Sequence, residues 1–126
     1  MSPEEFAAAQ EKADQVMRDH WKVVDGILVF DGRGDNLCTN TDYENFELYV
    51  DWKIEPRGDS GIYLRGSPQV QIWDPSGGER NRVGSGGLFN NQNHPHEPIV
   101  RADKPVGQWN TYNQQSHGAE TFDFGV

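Results

Sequence analysis

The stretch that decides the fold is GDSGIYLRGSPQVQIWD, residues 58–74. Two short runs flank the turn Gly66-Ser67-Pro68, and each alternates strictly between aliphatic and polar or aromatic side chains. A period of two is typical of a strand that buries one of its faces. The pattern therefore predicts a hairpin whose aliphatic side chains face a core, namely Ile62, Leu64, Val70 and Ile72.

The opposite face of this predicted hairpin carries few of the residues that usually cover a solvated strand. It presents Tyr63, Arg65, Gln69, Gln71 and Trp73. Aromatic rings pack against the C–H faces of sugars, while amide and guanidinium groups form hydrogen bonds with hydroxyls. We expect these five side chains to share one solvent-accessible surface. That surface is either a sugar-binding site or the polar outer face of an ordinary hairpin.

The rest of the chain favours a mainly β fold with one N-terminal helix. Residues 46–54 alternate as the clearest strand, and Asp25-Gly26 joins two short strand-like runs, 21–24 and 27–30. Ser2, Pro3 and Glu5 form a capping-box pattern that predicts an amphipathic helix over about residues 3–20.

Composition and charge limit the size of the protein and the classes of partner. A length of 126 residues fits a single domain, and 14 Gly with 4 Trp, 4 Tyr and 6 Phe favour a turn-rich β domain. The net charge of -9 argues against nucleic acid and anionic membranes, because both require basic patches. Cys38 is the one cysteine, and we predict a buried, inert thiol in a short strand.

The run DSGIYLRG…QVQIWD resembles the central signature of the 3-keto-disaccharide hydrolase domain family. The resemblance covers most of residues 20–112 and keeps the family's order. It continues through WKVVDGILVFDG (21–32), NLCT (36–39), YENFELYVDWKI (43–54), GSGGLFNN (84–91) and ADKPVGQWNTY (102–112). The family implies a concanavalin-like jelly-roll β-sandwich. We expect one such domain over residues 1–126, with strands over about 21–74 and 87–124.

The two ends depart from the family's pattern. The chain begins after the family's usual first strand, and the tail from Asn113 to Phe122 resembles the family's last motif more than the part that normally follows WNTY. An internal deletion or a minimal form is the simplest interpretation, and a frameshifted end is the alternative. A sheet with missing edge strands predicts a homo-oligomer. Relatives are typically exported, which implies a periplasmic or secreted protein, although no signal peptide is visible in this sequence.

The resemblance implies glycosidic cleavage through an enolate and without a redox cofactor. A ketone at C3 acidifies the proton at C2, so that a general base, a donor to the enolate oxygen and an acid for the leaving group are required. Asp74 and His117 are the candidate acid and base, and Arg65 and Gln71 the candidate oxygen-stabilising donors. Tyr63, Gln69 and Trp73 are candidates for binding the sugar. The structural alternatives are that Asp74-Pro75 only initiates a turn and that Arg65 only pairs with a surface carboxylate.

The sequence also contains candidate metal ligands. His94, His96 and Glu97 offer two imidazoles and a carboxylate, but no third ligand has a recognisable spacing. Asp31, Asp35 and Asn36 offer oxygens for calcium, but acidic Gly-rich turns are commoner than calcium loops. We predict no metal site, while a requirement for a divalent metal stays open. The expected partner is a carbohydrate. The alternatives to an enzyme are a non-catalytic, lectin-like carbohydrate-binding module and, more weakly, an interaction domain.

Overall fold

The computed structural model describes residues 1–64, 68–117 and 121–125, with the backbone alone for residue 117 and residues 121–125. The described chain consists of small antiparallel sheets and one N-terminal helix, which confirms the β-rich class. It divides into two compact units, residues 1–41 and residues 42–126.

The first unit begins with helix α1 (Pro3–His20). The predicted capping box is present, since the Glu5 backbone N–H donates to Ser2 Oγ at 3.1 Å and the Ser2 backbone N–H donates to Glu5 Oε2 at 2.6 Å. Both contacts satisfy backbone donors that have no partner within a helix. None of the residues of α1 is buried. No helix in the described residues is long and apolar enough to cross a membrane.

A two-stranded hairpin follows the helix, formed by β1 (Trp21–Val24) and β2 (Ile27–Phe30). Asp25 and Gly26 both have positive φ, 51° and 77°, as a tight two-residue hairpin turn requires. Trp21 and Phe30 stack across the strands with ring centroids 4.4 Å apart. The side chains of His20 and Asp31 are hydrogen-bonded, with Nδ1 to Oδ2 at 2.9 Å, next to the open end of the hairpin.

The second unit contains two antiparallel sheets. The strands are β3 (Phe46–Trp52), β4 (Asp59–Tyr63), β5 (Gln69–Trp73), β6 (Asn110–His117) and β7 (Thr121–Gly125), with a 3-10 helix over Glu79–Val83. One sheet has the order β3-β6-β7, and the other is the hairpin β4-β5. Trp52 opposes Asn110 and Phe46 opposes Ser116, so the even-numbered residues of both strands share one face.

The core of this unit contains the aliphatic face of β4 and β5 together with the even-numbered face of β3 and β6. Its buried members are Trp52, Leu64, Val70, Ile72 and Tyr112, with Val50, Ile54 and Ile62 partly buried against them. The alternation in the sequence therefore correctly predicted that these aliphatic side chains and Trp52 face the core. Trp52 and Tyr112 are in contact as well, with ring centroids 5.3 Å apart.

Two sequence-based expectations are wrong in detail. Residues 87–109 contain no strand beyond an isolated bridge between Val70 and Leu88, because this stretch is broken by Gly, Asn and Pro. Cys38 is exposed and lies in no strand.

Candidate functional site

The site is built on β5, which has backbone partners along both edges. On one side it pairs with β4. On the other side Gln71 donates its N–H to Gly87 O at 2.9 Å, and Gly86 donates its N–H to Gln71 O at 2.8 Å. Phe89 N–H also donates to Gln69 O at 3.1 Å. We call residues 84–98 the flanking segment. Its first residues lie along the edge of β5 that does not pair with β4.

The flanking segment changes the environment of the predicted sugar-binding face. The register places Tyr63, Gln69, Gln71 and Trp73 on one face, because Tyr63 opposes Gln69 and Asp59 opposes Trp73. The expectation that all of them are solvent-accessible is nevertheless wrong, since only 2% of Gln71 and 5% of Trp73 are exposed. Tyr63 is exposed and Gln69 is partly buried.

Hydrogen bonds hold the two buried side chains in place. Gln71 Nε2 donates to Asp59 Oδ1 at 2.6 Å, across the hairpin. Trp73 Nε1 donates to Gly84 O at 2.6 Å, and the Ser85 hydroxyl accepts the Trp73 backbone N–H at 3.1 Å. Buried polar groups normally have such partners, because an unpaired one is costly. These contacts fix the orientation of the Gln71 and Trp73 side chains, which together form one wall of the site.

This wall borders a pocket of about 290 Å³. The other side is formed by the 3-10 helix and the flanking segment. Among the lining residues are Glu79, Arg80, Gly84, Phe89, His96, Glu97 and Pro98. Trp73 and Phe89 meet edge to face at 6.0 Å between ring centroids. The result is a concave surface with aromatic and polar walls, as small-ligand sites usually have.

Arg80 is the cation of this pocket. Its guanidinium carbon lies 4.7 Å from the centroid of Phe89 and 5.7 Å from that of Trp73, which is within the range of cation–π attraction. The neighbouring Arg82 instead donates to Glu79 Oε1 at 2.9 Å. The two arginines of one short helix therefore have different environments, and Arg80 alone of the two lines the pocket.

The titratable residues of the pocket were not predicted as catalytic from the sequence. The sequence indicates His96 and Glu97 only as metal ligands, and no pattern in it singles out Arg80. The place of His96 and Glu97 depends on the flanking segment folding back on itself, as shown by Gly87, where an added Cβ would lie 2.4 Å from His96 O. No local motif encodes that contact. Among the described residues, no group of three His, Cys, Asp or Glu side chains could hold a metal ion.

Asp74 is buried in a turn and does not line the pocket. Its Oδ2 accepts the Arg57 backbone N–H at 2.7 Å, and its Oδ1 accepts both the N–H and the hydroxyl of Ser76 at 2.7 Å. These donors, with a smaller effect of Arg101, lower the pKa of the Asp74 carboxyl below its ordinary value. The arrangement matches the turn-initiating alternative for Asp74-Pro75.

The other predicted site residues either do not line the pocket or lie outside the residues that the structure describes. Arg65 lies outside the described residues, and the side chain of His117, the last residue of β6, is also not described. Strand β6 does contact β5, because the Tyr112 hydroxyl donates to Gln71 O at 2.9 Å. Burial raises the pKa of Tyr112, so this hydroxyl stays protonated and keeps its role as a donor.

Pocket, sheets and composition together describe a β-rich domain with an aromatic, polar cavity of a size for small molecules. Comparison with protein families identifies the class: residues 5–121 match the 3-keto-alpha-glucoside-1,2-lyase-like domain. The chain therefore belongs to this family of carbohydrate-active domains. The matched range extends beyond residues 20–112, over which the sequence motifs resemble the family. Neither a curated protein nor a solved structure matches the chain.

Proposed function

We propose that the protein cleaves 3-keto-glycosides by elimination, in the pocket between β5, the 3-10 helix and the flanking segment. The observation that carries the proposal is the position of Arg80 against Trp73 and Phe89, in a pocket that also contains His96 and Glu97. Membership of the family supports the choice of substrate. We propose in addition that the described strands are part of a concanavalin-like jelly-roll sandwich.

The reaction follows from the ketone of the substrate. A base removes the proton from C2, and the electron pair of that C–H bond forms the enolate of the C3 ketone. The enolate then collapses, a C1–C2 double bond forms, and the C1–O bond breaks. The leaving oxygen takes its electron pair and gains a proton from an acid. Addition of water to the double bond completes net hydrolysis. No electrons are exchanged with a cofactor.

The pocket offers a group for each step. The Arg80 guanidinium stabilises the negative oxygen at C3. The Glu97 carboxylate takes the proton from C2, and the His96 imidazole exchanges a proton with the leaving group. Trp73 and Phe89 supply apolar surface for the sugar ring. Glu79 is paired with Arg82 and is assigned no role in proton transfer.

The test measures turnover of an aryl 3-keto-glucoside and of the same glucoside without the ketone. We expect cleavage of the keto substrate alone, because a C2 proton without a neighbouring ketone is far too weakly acidic. Arg80→Met should lower kcat/KM by about 100-fold or more, as loss of an oxyanion donor does. The matched control is Arg82→Met, which removes the neighbouring arginine of the same helix and should retain activity.

Exchange of deuterium at C2 separates the roles of the pocket residues. Glu97→Gln should abolish the exchange, whereas His96→Asn should retain exchange and slow release of the aryl group. His117→Ala and Asp74→Asn test the roles first predicted from the sequence. Equal activity of Arg80→Met and Arg82→Met, or cleavage of the unoxidised glucoside at a similar rate, would refute the proposal. Binding of sugar without any turnover would instead indicate the lectin-like module.

A further inference from the structure

A second surface rich in aromatic and amide groups lies on the sheet of β3 and β6, on the side opposite the core. The even-numbered residues of both strands face the core, so the odd-numbered residues point outward. This outer face consists of Glu47, Tyr49, Asp51, Lys53, Trp109, Thr111, Asn113 and Gln115. None of these residues lines the pocket.

Two aromatic rings of the outer face are open to solvent. Tyr49 is 64% exposed and Trp109 is 40% exposed. Asn113 stands opposite Tyr49 in the register, four positions after Trp109, which places the two aromatic residues about 13 Å apart along the strand direction. That separation is too large for a single sugar ring to contact both. It fits a chain of several sugar units.

Polar side chains of the outer face are already held by hydrogen bonds. Between the two rings, Thr111 Oγ1 donates to Asp51 Oδ1 at 2.5 Å. On the far side of Tyr49, Tyr49 Oη and Gln115 Nε2 both donate to Glu47 Oε1, at 2.5 Å and 2.9 Å. Side chains that are ordered before binding lose less conformational entropy when a ligand arrives.

The charge of this face selects among polymeric partners. Glu47 and Asp51 are two carboxylates against the single ammonium of Lys53, which lies 5.2 Å from the Trp109 ring centroid. The chain as a whole has a net charge of -9. Acidic polysaccharides and nucleic acids are therefore repelled, and a neutral chain is not.

We propose that the outer face binds an extended neutral oligosaccharide, with one sugar unit on Trp109, another on Tyr49 and the hydroxyls between them on Asp51 and Thr111. This site is separate from the pocket and does not depend on catalysis there.

The test measures, by calorimetry, the direct binding of cellohexaose and laminarihexaose, two neutral glucans of different linkage. We expect saturable binding of at least one of them and at least roughly tenfold weaker binding of glucose, which reaches only one ring. Tyr49→Ala and Trp109→Ala should each weaken binding by about tenfold, the value of one good aromatic contact. Tyr49→Phe should retain most of the affinity, because the ring remains.

The matched control is Tyr43→Ala, which removes another exposed tyrosine of the same unit that lies outside the sheet and the pocket. It should bind the glucan as the parent protein does. Circular dichroism and thermal unfolding establish that each variant is folded. The proposal is overturned if neither glucan binds, or if Tyr49→Ala and Trp109→Ala bind as tightly as Tyr43→Ala. Because binding is measured without turnover, its failure leaves the elimination in the pocket unaffected.

Discussion

Strand β5 and the outer face of β3 and β6 show how similar patterns lead to different surfaces. Both alternate with a period of two, and both place aromatic and amide side chains on one face. On β5 the residues Gln71 and Trp73 of this face are buried and line the pocket, whereas Tyr49 and Trp109 on the outer face are exposed. The difference comes from residues 79–98, which pack beside one surface and not the other. Alternation thus determines which side chains share a face, and long-range packing determines whether that face meets solvent.

The largest effect is expected from removing one tryptophan of each surface. Trp73→Ala should lower the free energy of unfolding by about 3–5 kcal/mol, because it leaves a cavity and removes the donor to Gly84 O. Trp109→Ala should cost about 1 kcal/mol or less, since an exposed ring loses mainly its contact with Lys53. Urea denaturation of both variants gives the comparison. Similar losses in the free energy of unfolding would mean that the two faces are buried to the same extent.

The local and periodic features of the fold could be predicted from the sequence. The capping box of Ser2 and Glu5 depends on a spacing of three residues, and the core phase of Val70 and Ile72 depends on alternation with aliphatic residues. The pocket depends instead on contacts across sequence, such as Trp73 Nε1 with Gly84 O and Arg80 with Phe89. Glycine and proline in residues 84–98 indicate a loop, but they do not specify which strand the loop follows. For this reason the sequence alone could not predict that Gln71 is buried or that Arg80 lines the pocket.

A smaller effect is expected from two adjacent glutamines on opposite faces of β6. Gln114 is 1% exposed, and both polar atoms of its side-chain amide have no hydrogen-bond partner among the described residues. Burying an amide without a partner costs free energy, so Gln114→Met should raise the free energy of unfolding by about 1 kcal/mol. Gln115→Met on the outer face loses the bond to Glu47 Oε1 and should be neutral or slightly destabilising.

Chemical denaturation of the two methionine variants measures this difference. A clear loss of stability in Gln114→Met would show that the buried amide has a partner in solution, such as an ordered water molecule. The same gain in both variants would show that methionine stabilises β6 irrespective of the face. Either result would revise the contrast between the core face and the outer face of this strand.

The smallest effect expected is on the pH dependence of stability, and it concerns the turn at the end of β5. Donors from Arg57 and Ser76 hold the pKa of Asp74 below its ordinary value of 3.8, whereas the unfolded chain has the ordinary value. The ionised carboxylate therefore stabilises the fold at pH values above 3.8, and this contribution is lost as the pH falls through the lower, folded pKa. Asp74→Asn should flatten the decline of the free energy of unfolding in that acidic range, and Ser76→Ala, which removes one of the three donors, should give an intermediate slope. Asp31, whose pKa is lowered by its hydrogen bond with His20, supplies the same background in all three proteins. An unchanged slope in Asp74→Asn would mean that the turn does not prefer the ionised carboxylate, and it would make Asp74 available again as an acid or base.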